Sequence, residues 1–269
     1  GHKGTYNKFD YIIHCAGVTK CRHKDEFDKG NYVYTRNFVE ALRTLDMVPR
    51  QFVYISSLSI FGPIHEDNYA PISERDTAMP NTAYGVSKLK SEHYLQSLND
   101  FPTVIFRPTG VYGPRDYFLM AKSIKRHIDF APGFKRQDLT FIYVRDLVQA
   151  VYLAIEHGVR QRAYFVSDGN VYSSRTFSDL IQKELGNPWV IHIKCPLFIL
   201  KVVSLLAEFS ARCLGKVSTL NADKYKIMKQ RNWQCDISPL VEELGYRPEY
   251  PLDKGVKEII AWYKKEGWL

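Results

Sequence analysis

The sequence predicts an α/β protein, in which a parallel sheet is covered by helices and followed by a smaller, mostly helical lobe. Short apolar runs alternate with longer segments whose apolar residues recur every three or four positions, as expected for strands joined by helices. From Phe177 onward the apolar pattern is almost entirely helical. We therefore predict a sheet domain over residues 1–168 and a lobe over residues 169–269 that is interleaved with it.

The predicted elements of the sheet domain alternate between strand and helix. The spacing of Tyr34, Phe38 and Leu42 marks the first helix, and Asn81 or Thr82 is a suitable cap for the second. The first five elements are the strand Asp10–His14, the helix Asn31–Leu45, the strand Gln51–Ser56, the helix Ala83–Leu98 and the strand Thr103–Arg107. They are followed by the helix Phe118–Ile128, the strand Thr140–Val144, the helix Asp146–His157 and the strands Ala163–Ser167 and Trp189–Ile193.

The composition is that of a globular protein. Hydrophobic residues make up 45% of the chain, which is enough for a core. No apolar run approaches the roughly 18 residues that a membrane span needs, and the first residues lack the apolar block of a secretory signal. The five cysteines are scattered and form no Cys-x-x-Cys pair, so the sequence predicts neither a disulfide framework nor a metal site. We expect a cytoplasmic protein.

The formal charge of +8 could serve an anionic partner, but a solvated basic surface is the favoured interpretation. No recognised nucleic-acid-binding motif accompanies the charge. We therefore expect no nucleic-acid partner.

The segment Tyr84-Gly-Val-Ser-Lys88 opens a predicted helix, and Ser57 follows the preceding predicted strand. Residues four apart share a helix face, so the positive charge of Lys88 is expected to favour the phenolate of Tyr84 and make it a usable base. Ser57 would hydrogen-bond the same substrate oxygen. Taken alone, this spacing is equally typical of an ordinary surface helix.

Other motifs surround this segment in a particular order. Upstream are Asp10-Tyr-Ile-Ile-His-Cys-Ala-Gly17, Asn31-Tyr-Val-Tyr-Thr-Arg-Asn37 and Phe52-Val-Tyr-Ile-Ser-Ser-Leu-Ser-Ile-Phe-Gly62, and downstream are Phe106-Arg-Pro-Thr-Gly-Val-Tyr-Gly-Pro114 and Phe141-Ile-Tyr-Val-Arg-Asp146. The set resembles the extended short-chain dehydrogenases/reductases, which include nucleotide-sugar epimerases and dehydratases and 3β-hydroxysteroid dehydrogenases. The resemblance spans nearly the whole chain. It implies a Rossmann-like, doubly wound parallel sheet and NAD or NADP as the cofactor.

The resemblance also implies roles for individual residues. Ser57, Tyr84 and Lys88 match the catalytic residues, and Tyr84 and Lys88 also match cofactor contacts, with Lys88 gripping the nicotinamide ribose. The remaining cofactor-binding matches are Cys15, Ala16, Gly17, Thr19, Asn31, Ser56 and Pro108. Several of these have simpler interpretations: Cys15 and Ala16 as core residues, Asn31 as a helix cap and Pro108 as a strand terminator. His14 matches a structural position, and Asp146 is expected to cap the turn from strand to helix.

One departure from the superfamily is large. The glycine-rich turn that binds the cofactor pyrophosphate is expected before Asp10, where only nine residues stand. A unit of about 30 residues does not fit there. We expect the chain to be a fragment without the first strands, which would bind cofactor poorly and expose a strand edge; the alternative is a loss of ordinary dinucleotide binding.

Two further departures weaken a nucleotide-sugar substrate. Leu139-Thr140 stands where such enzymes usually carry Arg-Asp, and Gly110 stands where they tend to have Asn, although basic Arg115, Lys135 and Arg136 could compensate. The helix through Phe198 and Phe209 is apolar around much of its circumference. It predicts a buried core helix; the alternatives are the wall of a pocket for an apolar substrate or a contact with a membrane surface.

The favoured hypothesis is an NAD(P)-dependent oxidoreductase that acts on a secondary alcohol or ketone, such as a hydroxysteroid. A nucleotide-sugar epimerase or dehydratase is the alternative, and a non-catalytic dinucleotide-sensing or assembly protein is the hypothesis from another class. We expect a small-molecule substrate, no transmembrane segment, room for a peripheral membrane contact, and a homodimer formed through the helices at 31–45 and 83–98.

Overall fold

The computed structural model describes residues 8–215, 218 and 220–269. The first part of the chain contains β1 (Tyr11–His14), α1 (Asp25–Phe27), a π-helical segment (Asp28–Val33), α2 (Tyr34–Thr44), β2 (Gln51–Ile55), a 3-10 turn (Leu58–Ile60), α3 (Ala83–Gln96), β3 (Thr103–Pro108), β4 (Gly110–Tyr112) and α4 (Phe118–Lys125). It continues with β5 (Ile128–Pro132), β6 (Asp138–Leu139), β7 (Phe141–Tyr143), α5 (Val144–Glu156), β8 (Arg162–Val166), β9 (Tyr172–Ser173), α6 (Thr176–Glu184), β10 (Ile191–Cys195), α7 (Leu197–Cys213), α8 (Ala222–Lys229), α9 (Ser238–Leu244) and α10 (Leu252–Lys265).

Four parallel strands form the main sheet in the order β1-β2-β3-β8. Ile13 pairs with Val53, and Phe106 pairs with Tyr164. Because parallel strands end at the same edge, the residues that follow β1, β2 and β3 meet along one side of the sheet. Within the described residues β1 lies at the end of this order, and its Tyr11 side chain is exposed.

Helices cover both faces of the main sheet because successive side chains of a strand point to opposite sides. Phe52 and Tyr54 of β2 pack on one face with residues of α2 and α3. Val53 of β2 and Val104 of β3 pack on the other face with residues of α5 and α9. This is the predicted α/β architecture, and it places the sheet edge between two helical layers.

A second core joins β4 and β7 to α4, α6 and α10. The rings of Tyr112, Phe141 and Phe177 lie in its centre. A Cβ atom on Gly255 of α10 would lie 2.1 Å from the Tyr112 hydroxyl, so only glycine lets the helix approach. Since α9 packs on the main sheet, the chain after residue 168 contributes to both cores, and the division into domains at that residue stays a prediction.

The strands of the main sheet agree with the sequence-based prediction to within one residue at each end. The start of the first helix at Asn31 was wrong, because the helical structure begins at Asp25 and passes through the π-helical segment. The predicted helix at Phe118–Ile128 ends at Lys125, since Ile128 begins β5. Strands β4, β5, β6 and β9 were not predicted.

Two expectations about individual elements were wrong. Asp146 does not cap α5; its carboxylate accepts hydrogen bonds from the backbone N–H groups of Glu249 and Tyr250, at 3.0 and 2.9 Å. Helix α7 is not a buried core helix, because it turns most of its apolar side chains outward. None of the helices in the described part of the chain is long and apolar enough to cross a bilayer.

Candidate active site

Ser57 lies directly after β2, at the edge where the strands of the main sheet end. Its Oγ accepts a hydrogen bond from the backbone N–H of Ser59 at 3.1 Å and donates one to Ser59 Oγ, also at 3.1 Å. These bonds cap the 3-10 turn that follows and fix the Ser57 hydroxyl. Ser59 was not singled out from the sequence, although its place two residues after Ser57 could have suggested it.

Tyr84 lies in the first turn of α3, whose start is fixed by Thr82. Thr82 Oγ1 accepts a hydrogen bond from the Gly85 N–H at 3.0 Å, so one of the two predicted caps is confirmed. A Cβ atom on Gly85 would lie 2.5 Å from the Ser59 carbonyl oxygen, which shows how closely α3 approaches the turn after β2. Burial raises the pKa of Tyr84, and a hydrogen bond with the Ser57 side chain partly opposes that rise. Ser57 is therefore the polar side chain that acts on the Tyr84 phenol.

Lys88 lies one helical turn after Tyr84 and is only 5% exposed. Its Nζ donates to the Ile55 carbonyl at 2.8 Å and lies 4.8 Å from the centre of the Tyr54 ring. Burial lowers the pKa of Lys88 to about 8, and the charge of Glu92 opposes that change. The pKa of Tyr84 is shifted by burial and by Ser57 but not by Lys88. The lowering of that pKa by Lys88 and a bound nicotinamide stays a prediction.

Glu92 and Arg107 form a buried ion pair that the sequence did not indicate. Glu92 is fully buried on α3, one turn after Lys88, and accepts hydrogen bonds from Arg107 Nε at 3.0 Å and Nη2 at 2.7 Å. The guanidinium lies 5.4 and 5.5 Å from the ring centres of Phe61 and Phe165. The pair ties α3 to β3 and thereby holds the helical turn that carries Lys88.

The loop after β1 runs along the same edge of the sheet. Cys15, Ala16, Gly17 and Thr19 are exposed there, so the interpretation of Cys15 and Ala16 as core residues was wrong. A Cβ atom on Gly17 would lie 2.9 Å from Asn31 Oδ1 and 3.4 Å from Lys88 Nζ. The loop therefore passes close to the Lys88 ammonium only because residue 17 has no side chain.

Asn31 joins this loop to α3. It is fully buried in the π-helical segment, so its interpretation as a helix cap was wrong. Its Oδ1 accepts a hydrogen bond from the Val18 N–H at 2.6 Å, and its Nδ2 donates to the Val18 carbonyl at 3.1 Å and to Ser87 Oγ at 2.9 Å. Its backbone carbonyl accepts from Thr35 Oγ1 at 2.6 Å and Ser91 Oγ at 3.1 Å.

His14 packs under the loop, which fits the structural role expected for it. Its ring stacks on Phe38 and Phe52, and Nε2 lies 3.0 Å from Thr35 Oγ1. Burial and the charge of Lys88 lower the pKa of His14 to about 4. A neutral imidazole in this position has no free role as a proton carrier.

Ser56 and Pro108 lie at the ends of β2 and β3. Pro108 is buried and pairs with Val166 as the last residue of its strand, which agrees with its interpretation as a strand terminator. The Ser56 hydroxyl is buried and has no hydrogen-bond partner among the described residues, and the same holds for the Thr109 hydroxyl. Buried hydroxyls without partners are rare in folded proteins and indicate a place for a ligand.

These features fit the nicotinamide cofactor that the resemblance implies. Residues 15–17 and 19 are exposed, the Ser56 hydroxyl has no partner among the described residues, and Lys88 brings a positive charge to the same edge. The described residues contain no group of three or more His, Cys, Asp or Glu side chains that could hold a metal ion. Cofactor contacts for the individual residues stay predictions.

Comparison with known proteins also points to a nicotinamide-dependent family. A model of the NAD-dependent epimerase/dehydratase family matches residues 4–167. The decarboxylating sterol-4-alpha-carboxylate 3-dehydrogenase of Saccharomyces cerevisiae is 24% identical over 278 residues, which cover 95% of this chain and 77% of that protein.

Two solved structures share the fold. RMD from Pseudomonas aeruginosa, complexed with NADPH, superposes with a TM-score of 0.74 at 20% identity, over 95% of this chain and 82% of that one. The dTDP-glucose 4,6-dehydratase from Bacillus anthracis, in complex with NAD, superposes with a TM-score of 0.73 at 16% identity, over 96% and 74%. The predicted Rossmann-like, doubly wound α/β fold is confirmed.

Proposed function

Because the chain belongs to the NAD-dependent epimerase/dehydratase family, we propose that it oxidises a secondary alcohol or reduces a ketone, with NAD or NADP as the hydride carrier. The observation that supports this most directly is the convergence of the Ser57 and Tyr84 hydroxyls next to the helical turn that carries buried Lys88. All three lie at the edge of the sheet where the loop at 15–19 is exposed. An ordinary surface helix would leave these groups in solvent and apart.

A bound nicotinamide supplies the carbon that accepts or donates the hydride. Ser57 Oγ holds the substrate oxygen, and Tyr84 Oη takes the hydroxyl proton when the alcohol is oxidised. The carbon–hydrogen bond of the alcohol breaks with its electron pair, which leaves as hydride, and a carbonyl forms; reduction reverses each step. Since burial raises the pKa of Tyr84, its phenolate needs a nearby positive charge. Lys88, one turn along α3, is the residue we assign to that role and to the ribose.

A hydroxysteroid or another apolar alcohol is the substrate class that we favour. A Cβ atom on Gly110 would lie 3.0 Å from the Phe141 ring, a tight contact that disfavours the asparagine of nucleotide-sugar enzymes. Thr140 is buried, and its Oγ1 donates to the Trp233 carbonyl at 2.5 Å, so this position offers no cation to a diphosphate. The similarity to the yeast sterol dehydrogenase supports the same class.

A nucleotide-sugar epimerase or dehydratase is the second candidate. The similarity to dTDP-glucose 4,6-dehydratases, at 24% identity for the mouse protein, favours it. In an epimerase of this kind the hydride returns to the opposite face of the same carbon, which needs the same Ser57 and Tyr84 chemistry. An epimerase therefore differs from the first candidate in the substrate that binds and not in this proton transfer, whereas a dehydratase would need a further acid and base to eliminate water.

The test uses the complete protein, including any residues that precede Gly1, with NAD or NADP and a panel of hydroxysteroids, small ketones and nucleotide sugars. Formation of the reduced cofactor reports oxidation, its consumption reports reduction of a ketone, and chromatography of the nucleotide sugars reports epimerisation or dehydration. We expect Tyr84→Phe to lower kcat by about 10²–10⁴-fold, the usual contribution of a general acid or base. Tyr152→Phe, at a tyrosine that is 57% exposed on α5, is the matched control.

Unchanged turnover in Tyr84→Phe would refute the proposed mechanism. Cofactor binding without turnover of any member of the panel would instead support the non-catalytic, dinucleotide-sensing alternative. Turnover of nucleotide sugars alone would transfer the assignment to the second candidate.

We also propose a cytoplasmic homodimer that pairs through α2 and α3. Tyr34, Phe38 and Leu45 on or next to α2 and Val86 on α3 are exposed apolar residues, which is unusual for helices without a partner. The five cysteines are free, as expected in a reducing compartment. Light scattering tests the dimer: Tyr34→Ser with Val86→Ser should yield monomers, and a monomeric wild-type protein would contradict the proposal.

A further inference from the structure

Helix α7 is amphipathic in the reverse sense of a normal surface helix. Its inward side is formed by Leu200 and Ser204, which are 7% and 0% exposed. Its outward side carries five large apolar side chains that are 49–70% exposed. We call this set the outer face of α7: Phe198, Val202, Leu205, Leu206 and Phe209. At about 100° per residue, the five positions fall within an arc of roughly 100°.

An apolar face of this kind needs a partner. Large exposed apolar patches on a monomer usually mark an interaction site. The outer face of α7 is such a patch, since all five of its side chains are about half exposed or more.

Positive charge lines one side of the outer face. A cleft between α7 and α8 is lined by Lys201 and Leu205 of α7 and by Lys226 and Lys229 of α8. Among the described residues, neither Lys201 nor Lys229 forms an ion pair. Lys226 donates to the Asn81 carbonyl at 2.6 Å and lies 3.6 Å from Asp223.

The acidic residue in the same cleft does not neutralise these lysines. Glu66 accepts a hydrogen bond from the Arg231 N–H at 2.8 Å, and its carboxylate lies 3.7 Å from Arg231 Nε. The Glu66 carboxylate is thus directed to Arg231, which also pairs with Asp67 at 3.2 Å. The outer face of α7 therefore has a cationic border, in which Lys201 and Lys229 form no ion pair among the described residues.

We propose that α7 docks the protein on the surface of a bilayer that contains anionic phospholipids. The five apolar side chains enter the boundary between headgroups and acyl chains, and Lys201 and Lys229 contact the headgroup phosphates. A second copy of the chain fits this face less well, because pairing two outer faces would bring one cationic border against another. An anionic bilayer offers both an apolar layer and the complementary charge.

The test is co-sedimentation of the complete protein with two kinds of vesicle: phosphatidylcholine alone, and phosphatidylcholine mixed with an equal amount of phosphatidylserine. We expect binding to the mixed vesicles that weakens with added salt. Phe198→Ser with Phe209→Ser should reduce this binding more than about tenfold, whereas Val148→Ser, at a residue 61% exposed on α5, should leave it unchanged.

Charge is tested separately with Lys201→Glu, which keeps the apolar face. This variant should bind mixed vesicles about fivefold or more weakly, and Lys257→Glu on the exposed side of α10 should bind as the wild type does. Denaturant unfolding of each variant shows that it is folded, so a loss of binding is not a loss of structure.

Three outcomes would overturn the proposal. The first is an absence of binding to either vesicle. The second is equal binding to both vesicles that Lys201→Glu does not change. The third is a wild-type protein that does not bind either vesicle but forms a dimer that Phe198→Ser with Phe209→Ser dissociates. That result would identify a second copy of the chain as the partner of the outer face.

Discussion

Helices α3 and α7 treat polar and apolar side chains in opposite ways. Helix α3 buries a hydroxyl, an ammonium and a carboxylate at Ser87, Lys88 and Glu92. Helix α7 leaves Phe198 and Phe209 about two-thirds exposed. Hydropathy alone would predict the reverse arrangement for both helices.

The difference shows that partners, and not hydropathy, decide what each helix buries. Every polar group named on α3 has a partner: Ser87 bonds Asn31 and the Tyr84 carbonyl, Lys88 bonds the Ile55 carbonyl, and Glu92 bonds Arg107. The outer face of α7 has no such partner within the described residues. A helix whose buried polar groups are all hydrogen-bonded within the protein can position a site. A helix whose apolar face has no internal contacts is available to bind a partner outside the chain.

The largest effect is expected where the buried ion pair of α3 is broken. Glu92→Leu leaves the Arg107 guanidinium buried without its partner, and we expect a loss of about 3–5 kcal/mol in the free energy of unfolding. Urea unfolding monitored by circular dichroism measures it. Asp179→Ala, which removes the exposed pair of Arg175 and Asp179, is the matched control and should cost less than about 1 kcal/mol.

A double variant shows whether the charge or the space is responsible. Arg107→Met combined with Glu92→Leu removes both charges, so it should recover much of the stability lost in Glu92→Leu. If Glu92→Leu lowers the free energy of unfolding no more than Asp179→Ala does, the buried pair on α3 would be no more important for stability than an exposed pair. That result would contradict the proposed contrast between the helices.

The next effect concerns the Asn31 side chain, whose hydrogen bonds to Val18 and Ser87 link the loop at 15–19 to α3. We call these bonds the clamp. Asn31→Ala leaves the Val18 N–H without its partner and removes the donor to the Ser87 hydroxyl, and we expect a loss of about 2 kcal/mol. Asn68→Ala removes an exposed asparagine that accepts one local hydrogen bond from the Ala70 N–H, and it should change stability by less than about 0.5 kcal/mol. Equal unfolding midpoints for the two variants would show that the clamp is not structural.

His14 is expected to make the free energy of unfolding depend on pH. Its folded pKa of about 4 lies below the usual value of 6.5 for histidine, so folding favours the neutral imidazole. Stability is therefore complete above the unfolded pKa and falls as the pH drops from 6.5 towards 4, by on the order of 2 kcal/mol. His14→Gln should flatten that slope in urea unfolding, whereas His157→Gln, at an exposed position after α5, should keep it. An unchanged slope in His14→Gln would assign the acid sensitivity to other groups.

The smallest effect is expected on the outer face of α7. Phe209→Ser should change the free energy of unfolding by less than about 0.5 kcal/mol, because the ring is 67% exposed. Leu200→Ala on the inward side of the same helix should cost about 2–3 kcal/mol. A large loss of free energy of unfolding in Phe209→Ser would mean that the Phe209 ring packs within the protein. Helix α7 would then have internal contacts on its outer face, as α3 has for its polar groups.

The sequence predicted the main sheet well because its strands are short, apolar and separated by helical patterns. The positions of the catalytic candidates on the fold could also be predicted, since Ser57 follows a strand and Tyr84 and Lys88 occupy one helical face, whereas their catalytic roles stay a prediction. These features are local, so a few neighbouring residues suffice to define them. Thr82 as a cap belongs to the same class.

The parts that escaped prediction depend on contacts between distant segments. Arg107 lies 15 residues from Glu92, and Ser87 lies 56 residues from Asn31, so no local spacing connects them. The outward orientation of α7 escaped for a different reason. An apolar helix pattern shows that a face avoids water, but it does not show whether the same chain provides the cover.

The π-helical segment at Asp28–Val33 constrains how many residues this part of the chain can contain. In it the Tyr34 N–H reaches back five residues to the Lys29 carbonyl, so the segment holds one residue more than a regular α-helical turn would. Removing a single residue there would restore ordinary winding and change the position of the remaining residues of the segment around the helix. An insertion or deletion before α2 is therefore expected to move the Asn31 side chain away from Ser87. Length variation among related sequences should therefore avoid these six positions.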